Sequence, residues 1–248
     1  MNFISSILEF FFGQNFPDFQ LIIWLFPLSF FYVIGVLILD EWMKRLWSWK
    51  VGYTRKFFHF MIFAIAGILQ YLKGIGGVFI LGWAVSLTIL YLIWKGKSSK
   101  YYLLLARPKD EPHPTRYIIY PYLATFFGGV VSNFFFLPIA AVAGYLVAGL
   151  GDAIGEPVGT KWGKHQYPVY SWGSAVKSHR SLEGSFAVFL ISILAFIIPI
   201  YLYGLPIEWY KITIAALIAA IVEGISPHGW DNFTCQVAGA ILMSYFLM

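Results

Sequence analysis

The chain has 248 residues, of which 59% are hydrophobic and only 12% are charged. An average soluble domain carries about 25% charged residues, so this composition excludes both a disordered chain and an ordinary soluble globule. A single cysteine excludes a disulfide scaffold within the chain. The sequence therefore predicts an all-α, polytopic membrane helical bundle in which residues 1–248 form one domain.

The apolar residues fall into segments close to the length of a membrane span. A helix needs about 20 residues to cross a bilayer, and the shorter segments are expected to be tilted or partly re-entrant. Residues 1–19 are expected to form an interfacial stretch, with Pro17 and Asp18 marking the entry to the first span. Eight spans follow, at about 21–39, 57–72, 76–94, 117–131, 134–150, 185–203, 212–225 and 233–248.

The distribution of charge predicts the orientation. Eight spans place four loops on one face, at 40–56, 95–116, 151–184 and 226–232. Of the 17 lysines and arginines, all but Lys73 and Lys211 lie in or beside these loops, and so do all five histidines. Because positive loops stay in the cytoplasm, this face is expected to be cytoplasmic, with both termini on the opposite side. The net charge of +5 is then topological, and no nucleic-acid partner is expected.

The long loop at 151–184 carries the strongest chemical signal. Asp152 and Glu156 follow an apolar segment and are four residues apart, so a continuing helix places both on one face. Carboxylates in this position are expensive near the membrane and mark functional sites. Together with substrate phosphates, the two carboxylates could hold Mg²⁺.

Glycines and lysines follow in the same loop. Gly155, Gly159 and Gly163 recur every fourth residue, which suits either close helix packing or the approach of backbone N–H groups to an anion. Lys161 and Lys164 are either phosphate-binding residues or anchors at the membrane interface. The string at 159–164 is one residue too short for a P-loop and is followed by histidine, which excludes that motif.

Four more groups lie on the same predicted face. Arg55, Lys56 and His59 precede or open the second span, as a basic flank or as part of a site. Glu223 lies inside an apolar segment and is a functional candidate for that reason. Asp231 and Asn232 open the last span, where they could simply cap the helix. Glu183 opens an apolar run and also complements a helix dipole.

These motifs, in this order, resemble the polyprenol kinase family, which includes dolichol kinase and phytol kinase. GDAIGEPVGTKWGK at 151–164 and KSHRSLEGSFAVF at 177–189 are similar to its central pattern. Arg55-Lys56-x-x-His59 resembles its early element, and Asp231-Asn232-Phe-Thr resembles its late element. His179-Arg180-Ser181 lengthens the spacing from the lysine to the glutamate in this chain. The resemblance implies a kinase that transfers the γ-phosphate of a nucleotide, typically CTP, to a lipid alcohol with Mg²⁺.

The resemblance also implies roles for single residues. Asp152, Glu156 and Glu183 are the expected metal ligands, and Asp231 or His59 would accept the proton of the alcohol. Asp152 and Glu183 count among the catalytic residues as well. The expected nucleotide-binding residues are Arg55, Lys56, Gly159, Gly163, Lys164, Lys177, Gly184, Ser185 and Asn232.

Two other functions stay open on the sequence. A cytidylyltransferase that forms a CDP-lipid has a related central segment, but this chain has Asn232 where that family has arginine. A small transporter would use Glu223 and Asp152 inside the membrane, but the charges lie almost entirely on one face. The expected partners are the bilayer and a lipid alcohol such as a polyprenol, dolichol or phytol, and the sequence also allows a homodimer.

Overall fold

A computed structural model describes residues 2–107, 111–171 and 178–247, and these ranges are almost wholly helical. The predicted all-α class is therefore confirmed. There are two π-helical turns: Glu9–Gln14 follows the first α-helix, and Val147–Gly151 joins two later α-helices. The α-helices are α1 (Phe3–Leu8), α2 (Phe19–Trp47), α3 (Val51–Lys95), α4 (Tyr102–Leu105), α5 (Arg116–Phe135), α6 (Pro138–Leu146), α7 (Asp152–Trp162), α8 (Leu182–Leu202), α9 (Trp209–Ile225) and α10 (Asp231–Leu247).

Several helices are long and apolar enough to cross a membrane, which supports a multi-pass membrane protein. In the part of the chain that the structure describes, five helical runs meet this condition by length and composition. The eight predicted segments all overlap helices, but α9 and α10 have only 17 residues each. The count of eight crossings stays a prediction. The five runs are Phe19–Trp47, Val51–Ser98, Arg116–Phe135, Pro138–Trp162 and Leu182–Leu202.

A glycine divides α3 into two halves, one for each of two predicted spans. Gly74 has φ 62° and ψ −157°, a conformation that essentially only glycine adopts. The break turns the chain between the predicted spans at 57–72 and 76–94 without a loop. It thereby allows the second half of α3 to pack beside other elements of the bundle.

The centre of the bundle is α6, because every residue from Ile139 to Leu146 is buried. Its alanines and one glycine let α3, α8 and α10 approach closely. At its end the π-helical turn leads directly into Asp152, the first residue of α7. Such turns are frequent at functional sites, and here the turn sets the position of a carboxylate at the end of the most buried helix.

The N-terminal stretch, expected at the interface, is helical and packs onto the bundle through aromatic rings. The rings of Phe10 and Phe134 lie 5.3 Å apart, and those of Phe11 and Phe79 lie 5.7 Å apart. The stretch therefore contacts both α5 and the second half of α3.

A short β-hairpin interrupts the helical pattern and was not predicted. Strand β1 (Gln166–Val169) pairs antiparallel with β2 (Ser178–Ser181), and Gln166 lies opposite Ser181. Ser181 then caps α8, since its Oγ accepts a hydrogen bond of 3.1 Å from the backbone N–H of Gly184. The hairpin thus fixes the entry to α8.

Replacing Gly74 with alanine should destabilise the protein by about 1–3 kcal/mol, because a Cβ strains this backbone conformation. The space around Gly74 is open, so the effect should come from the backbone alone. Thermal unfolding in detergent would measure it. Gly35→Ala is the matched control, since that helical site is equally open, and an equal loss in both variants would contradict this account of the break.

Candidate active site

The site is built around a buried lysine on α3. Lys56 is only 4% exposed, and its Nζ contacts Oδ1 of Asp152 and, at 3.1 Å, Oε2 of Glu156. The expected pairing of these two carboxylates on one helix face is thus present. A buried ammonium group needs such partners, because an unpaired buried charge costs several kcal/mol.

His59 lies one turn further along α3 and approaches the same aspartate. Its Nε2 is 3.5 Å from Oδ2 of Asp152 and 3.4 Å from the carbonyl oxygen of Ala148. That carbonyl belongs to the π-helical turn that precedes α7. The early and central motifs of the sequence therefore meet in space.

A second cluster of charged residues connects the hairpin to α9 and α10. The Nε of Arg180 lies 2.9 Å from Oε1 of Glu223, and its Nη2 lies 3.1 Å from Oδ2 of Asp231. The same guanidinium donates to the backbone oxygens of Glu223 and Ser226. Burial acts to lower the pKa of Arg180, but the two carboxylates outweigh burial and hold this pKa above its ordinary value. Arg180 is therefore a permanent positive charge.

A third cluster of polar and charged residues connects the segment after α4 to the loop after α9. Arg107 is 3% exposed and lies 3.3 Å from Oε1 of Glu156. Its Nη2 is 2.9 Å from Nε2 of His228. Burial and the charge of Arg107 lower the pKa of His228 to about 4. The histidine is consequently neutral at pH 7 and accepts the hydrogen bond from the guanidinium.

These groups surround one polar cavity of about 370 Å³, a size typical of small-molecule sites. Its wall combines carboxylates with guanidinium groups, which is the chemistry needed for a divalent cation and a polyphosphate. Gly155, Gly159, Gly184 and Ser185 complete part of the wall. The charged residues that line it are Arg107, Asp152, Glu156, Arg180, Glu223 and Asp231.

A smaller cavity of about 100 Å³ adjoins the polar one. Tyr117, Asp152 and Asp231 line both cavities. Arg55, Lys56, His59 and Asn232 also line the small cavity, but most of the remaining wall is apolar. The boundary between charged and apolar surroundings therefore passes through Asp152 and Asp231.

Two residues of the predicted nucleotide set make contacts between helices. Asn232 donates from Nδ2 to the backbone oxygen of Pro121 at 3.1 Å and to Oγ1 of Thr125 at 2.9 Å. Arg55 donates to the backbone oxygen of Tyr117 at 3.4 Å. Both contacts tie α5 to the site.

Other predicted residues lie apart from this centre. Glu183 contacts Nδ1 of His165 at 2.7 Å, on the wall of a different, shallow cavity. Lys164 is exposed, and Lys177 lies outside the described residues. Within the described ranges, no group of three or more His, Cys, Asp or Glu side chains is placed to hold a metal ion. The expected trio of Asp152, Glu156 and Glu183 is not assembled.

The spaced glycines allow close packing between α7 and α8. A Cβ on Gly155 would come within 2.6 Å of Val188, and one on Gly159 would come within 2.9 Å of Oγ of Ser181. A Cβ on Gly184 would come within 2.8 Å of the backbone oxygen of Gly155. The packing alternative is therefore realised, and it also brings the hairpin beside α7.

Sequence reasoning missed Arg107, His228 and Tyr117 and treated Arg180 only as part of a change in spacing. No short motif contains Arg107 or Tyr117. The only available signal for Arg180 was a charge next to the predicted start of a span. Glu223 was found, because a carboxylate inside an apolar segment needs a partner.

The fold and the site together define a class: a multi-pass helical membrane protein in which a buried charged site adjoins the small, largely apolar cavity. Within that class, the chain is similar to a phytol kinase from Synechocystis sp.. The two are 27% identical over 220 residues, which cover 85% of this chain and 86% of the relative. This likeness supports a polyprenol/phytol kinase-like family. No family model matches the chain, and no solved structure matches it.

The contact between Arg107 and His228 predicts a dependence of stability on pH. The pKa of His228 is about 4 in the folded protein, against an ordinary value of 6.5. Between these values the unfolded chain binds a proton that the folded chain does not, so stability falls as the pH falls. The expected loss from pH 7 to pH 5 is about 2 kcal/mol.

Thermal unfolding at both pH values would measure this loss. His228→Gln keeps an acceptor for Arg107 but cannot titrate, so its stability should change less between the two pH values. His113→Gln, at an exposed position, should behave like the wild type. An unchanged pH dependence in His228→Gln would refute the assignment.

Proposed function

We propose that this protein is a lipid-alcohol kinase that transfers the γ-phosphate of a nucleotide, CTP in the first instance, to the hydroxyl of a polyprenol, dolichol or phytol. The likeness to a phytol kinase supports the reaction class. The observation that carries the proposal is the convergence of the three motif regions at one pair of cavities, where charged and apolar surroundings meet.

Phosphoryl transfer mainly requires positioning and neutralisation of charge, and this cavity has residues suited to both tasks. In the proposal, Arg107 and Arg180 bind the oxygens of the triphosphate from opposite sides. Lys56 is buried and already paired with Asp152, so it orients this carboxylate.

The donors on the wall of the cavity fit Mg²⁺. This ion is usually held by one or two carboxylates plus substrate phosphates and waters, so a complete protein cage is not required. Asp152 and Glu156 are the residues that would hold it. When bound with the nucleotide, Mg²⁺ supplies neutralisation of the charge on the transferred phosphate. Glu183, which contacts His165, is proposed to act at the edge of the site, by anchoring the start of α8.

Asp231 is proposed as the base. It lines both cavities, so it lies where a hydroxyl from the apolar side can meet a phosphate from the polar side. The alcohol oxygen forms a bond to the γ-phosphorus, the bond to the bridging oxygen breaks, and the nucleoside diphosphate leaves. The proton of the alcohol passes to Asp231. His59, on the wall of the small cavity, is the second candidate.

We also infer that this site faces the cytoplasm, with both termini on the other side. The clustering of positive charge in the loops at 40–56, 95–116, 151–184 and 226–232 supports this orientation. A cytoplasmic site would have direct access to soluble nucleotide.

The proposed reaction predicts label in a lipid product. Purified protein with Mg²⁺ and γ-labelled CTP or ATP should phosphorylate at least one alcohol in a panel of isoprenoid alcohols and release the nucleoside diphosphate. Asp152→Asn should lower the rate at least 100-fold, whereas Glu208→Gln, at a half-buried loop position that lines neither cavity, should not change it. Release of pyrophosphate would instead indicate the cytidylyltransferase, and solute flux without turnover would indicate a transporter.

The two candidate bases make different predictions. If Asp231 accepts the proton, Asp231→Asn should lower kcat at least 100-fold, while His59→Gln should lower it less than tenfold. Single-turnover rates with both variants would separate the two. The opposite ranking would make His59 the base.

A further inference from the structure

A third cavity extends the small cavity into the apolar part of the bundle. It has a volume of about 430 Å³, and its wall is almost entirely apolar and rich in aromatic rings. Both α3 and α5 line it, and so does the N-terminal segment at 7–16. The residues that it shares with the small cavity are Ile62, Phe63, Val85, Tyr122 and Thr125. Polar, small and apolar cavities therefore lie in series.

The small and apolar cavities together form a path along the second half of α3. The second half of α3 lines the small cavity at Ile89 and the apolar cavity from Ser86 back to Ile75. Fourteen residues of helix separate Ile89 from Ile75, a distance of roughly 21 Å. Half of the hydrocarbon core of a bilayer is only about 15 Å thick, so the path can hold an extended lipid tail.

The N-terminal segment forms part of the wall of the apolar cavity. Phe11 is 5% exposed, and its ring lies against Phe79. The ring of Phe16 lies 5.6 Å from that of Trp83. Because Phe11, Phe12 and Phe16 line the cavity, they limit the space available to a ligand.

We propose that the apolar cavity binds the hydrocarbon tail of the lipid alcohol and that the N-terminal segment limits the length of that tail. The proposal rests on the proposed function and names a binding site for its substrate. A tail in this cavity would pass through the small cavity and leave its hydroxyl beside Asp231.

A competing groove of about 520 Å³ lies between the start of α3 and α7. It is lined by Trp49, Tyr53 and Trp162, among others. This groove shares only Lys56 with the small cavity. A tail bound there would have no described path to Asp231, whereas the apolar cavity shares five wall residues with the small cavity.

Gly82 provides a direct test, because it lines the apolar cavity and a Cβ there would meet open space. Gly82→Leu should reduce the volume of the cavity, and its Cβ would displace no other residue. Gly35→Leu is the matched control, since Gly35 is also helical and open but lines none of these cavities. Both variants replace a helical glycine, so changes in helix propensity cancel in the comparison.

Binding is measured with an isoprenoid alcohol that carries a diazirine at the end of its tail. Photolysis of the wild type should label the second half of α3, α5 or residues 7–16. Gly82→Leu should lower this labelling at least fivefold, and Gly35→Leu should leave it unchanged. Labelling in the groove beside Trp49 and Trp162, or equal labelling of both variants, would overturn the proposal.

Activity separates this proposal from the proposed function. Gly82→Leu should raise the KM for long alcohols about tenfold, with the KM for geraniol and for the nucleotide unchanged. Phe11→Ala, which enlarges the cavity at the N-terminal segment, should improve the use of alcohols longer than the best wild-type substrate. Tail labelling in the cavity without phosphorylation of any alcohol would refute the kinase alone, and phosphorylation with labelling elsewhere would refute the tail site alone.

Discussion

A lysine ammonium group that is 4% exposed must be compensated by negative charge, because an unpaired buried ion costs several kcal/mol. Lys56 meets this requirement with Asp152 and Glu156. The two carboxylates can reach one Nζ because they lie one turn apart on the same face of α7. The π-helical turn places this face beside Lys56, since it ends at the residue before α7 begins. The position of α7 against α3, and therefore one wall of the polar cavity, depends on this contact.

The close contact of α7 with α8 is the second constraint, and it is steric rather than electrostatic. Gly155, Gly159 and Gly184 let the helix backbones approach to a distance that any Cβ would prevent. The hairpin leads into α8 and is thereby held over the cavity, where Arg180 reaches carboxylates from α9 and α10. Small residues at a helix interface thus determine where a charged side chain is placed.

Much of the fold and half of the site could be predicted from the sequence. Spans, and the pairing of Asp152 with Glu156, follow from hydropathy and helical periodicity, which are local properties. The contacts of Arg107 and Arg180 join segments 49 and 51 residues apart, and no local pattern specifies which charge meets which. The hairpin was missed because its strands of four residues carry too little periodicity. The separation of Glu183 from Asp152 reflects the capped start of α8, which points this side chain toward His165.

The arrangement would also explain why the proposed transfer, which needs few residues, takes place in a membrane bundle. In the proposed reaction, a lipid alcohol and a nucleotide approach from media of opposite polarity, and their reacting atoms must meet without either substrate being transferred far into the other medium. The small cavity satisfies both requirements, because it shares Asp231 with the polar cavity and five wall residues with the apolar cavity. The charged wall can remain solvated while the tail remains in an apolar environment, so only the hydroxyl has to cross the boundary.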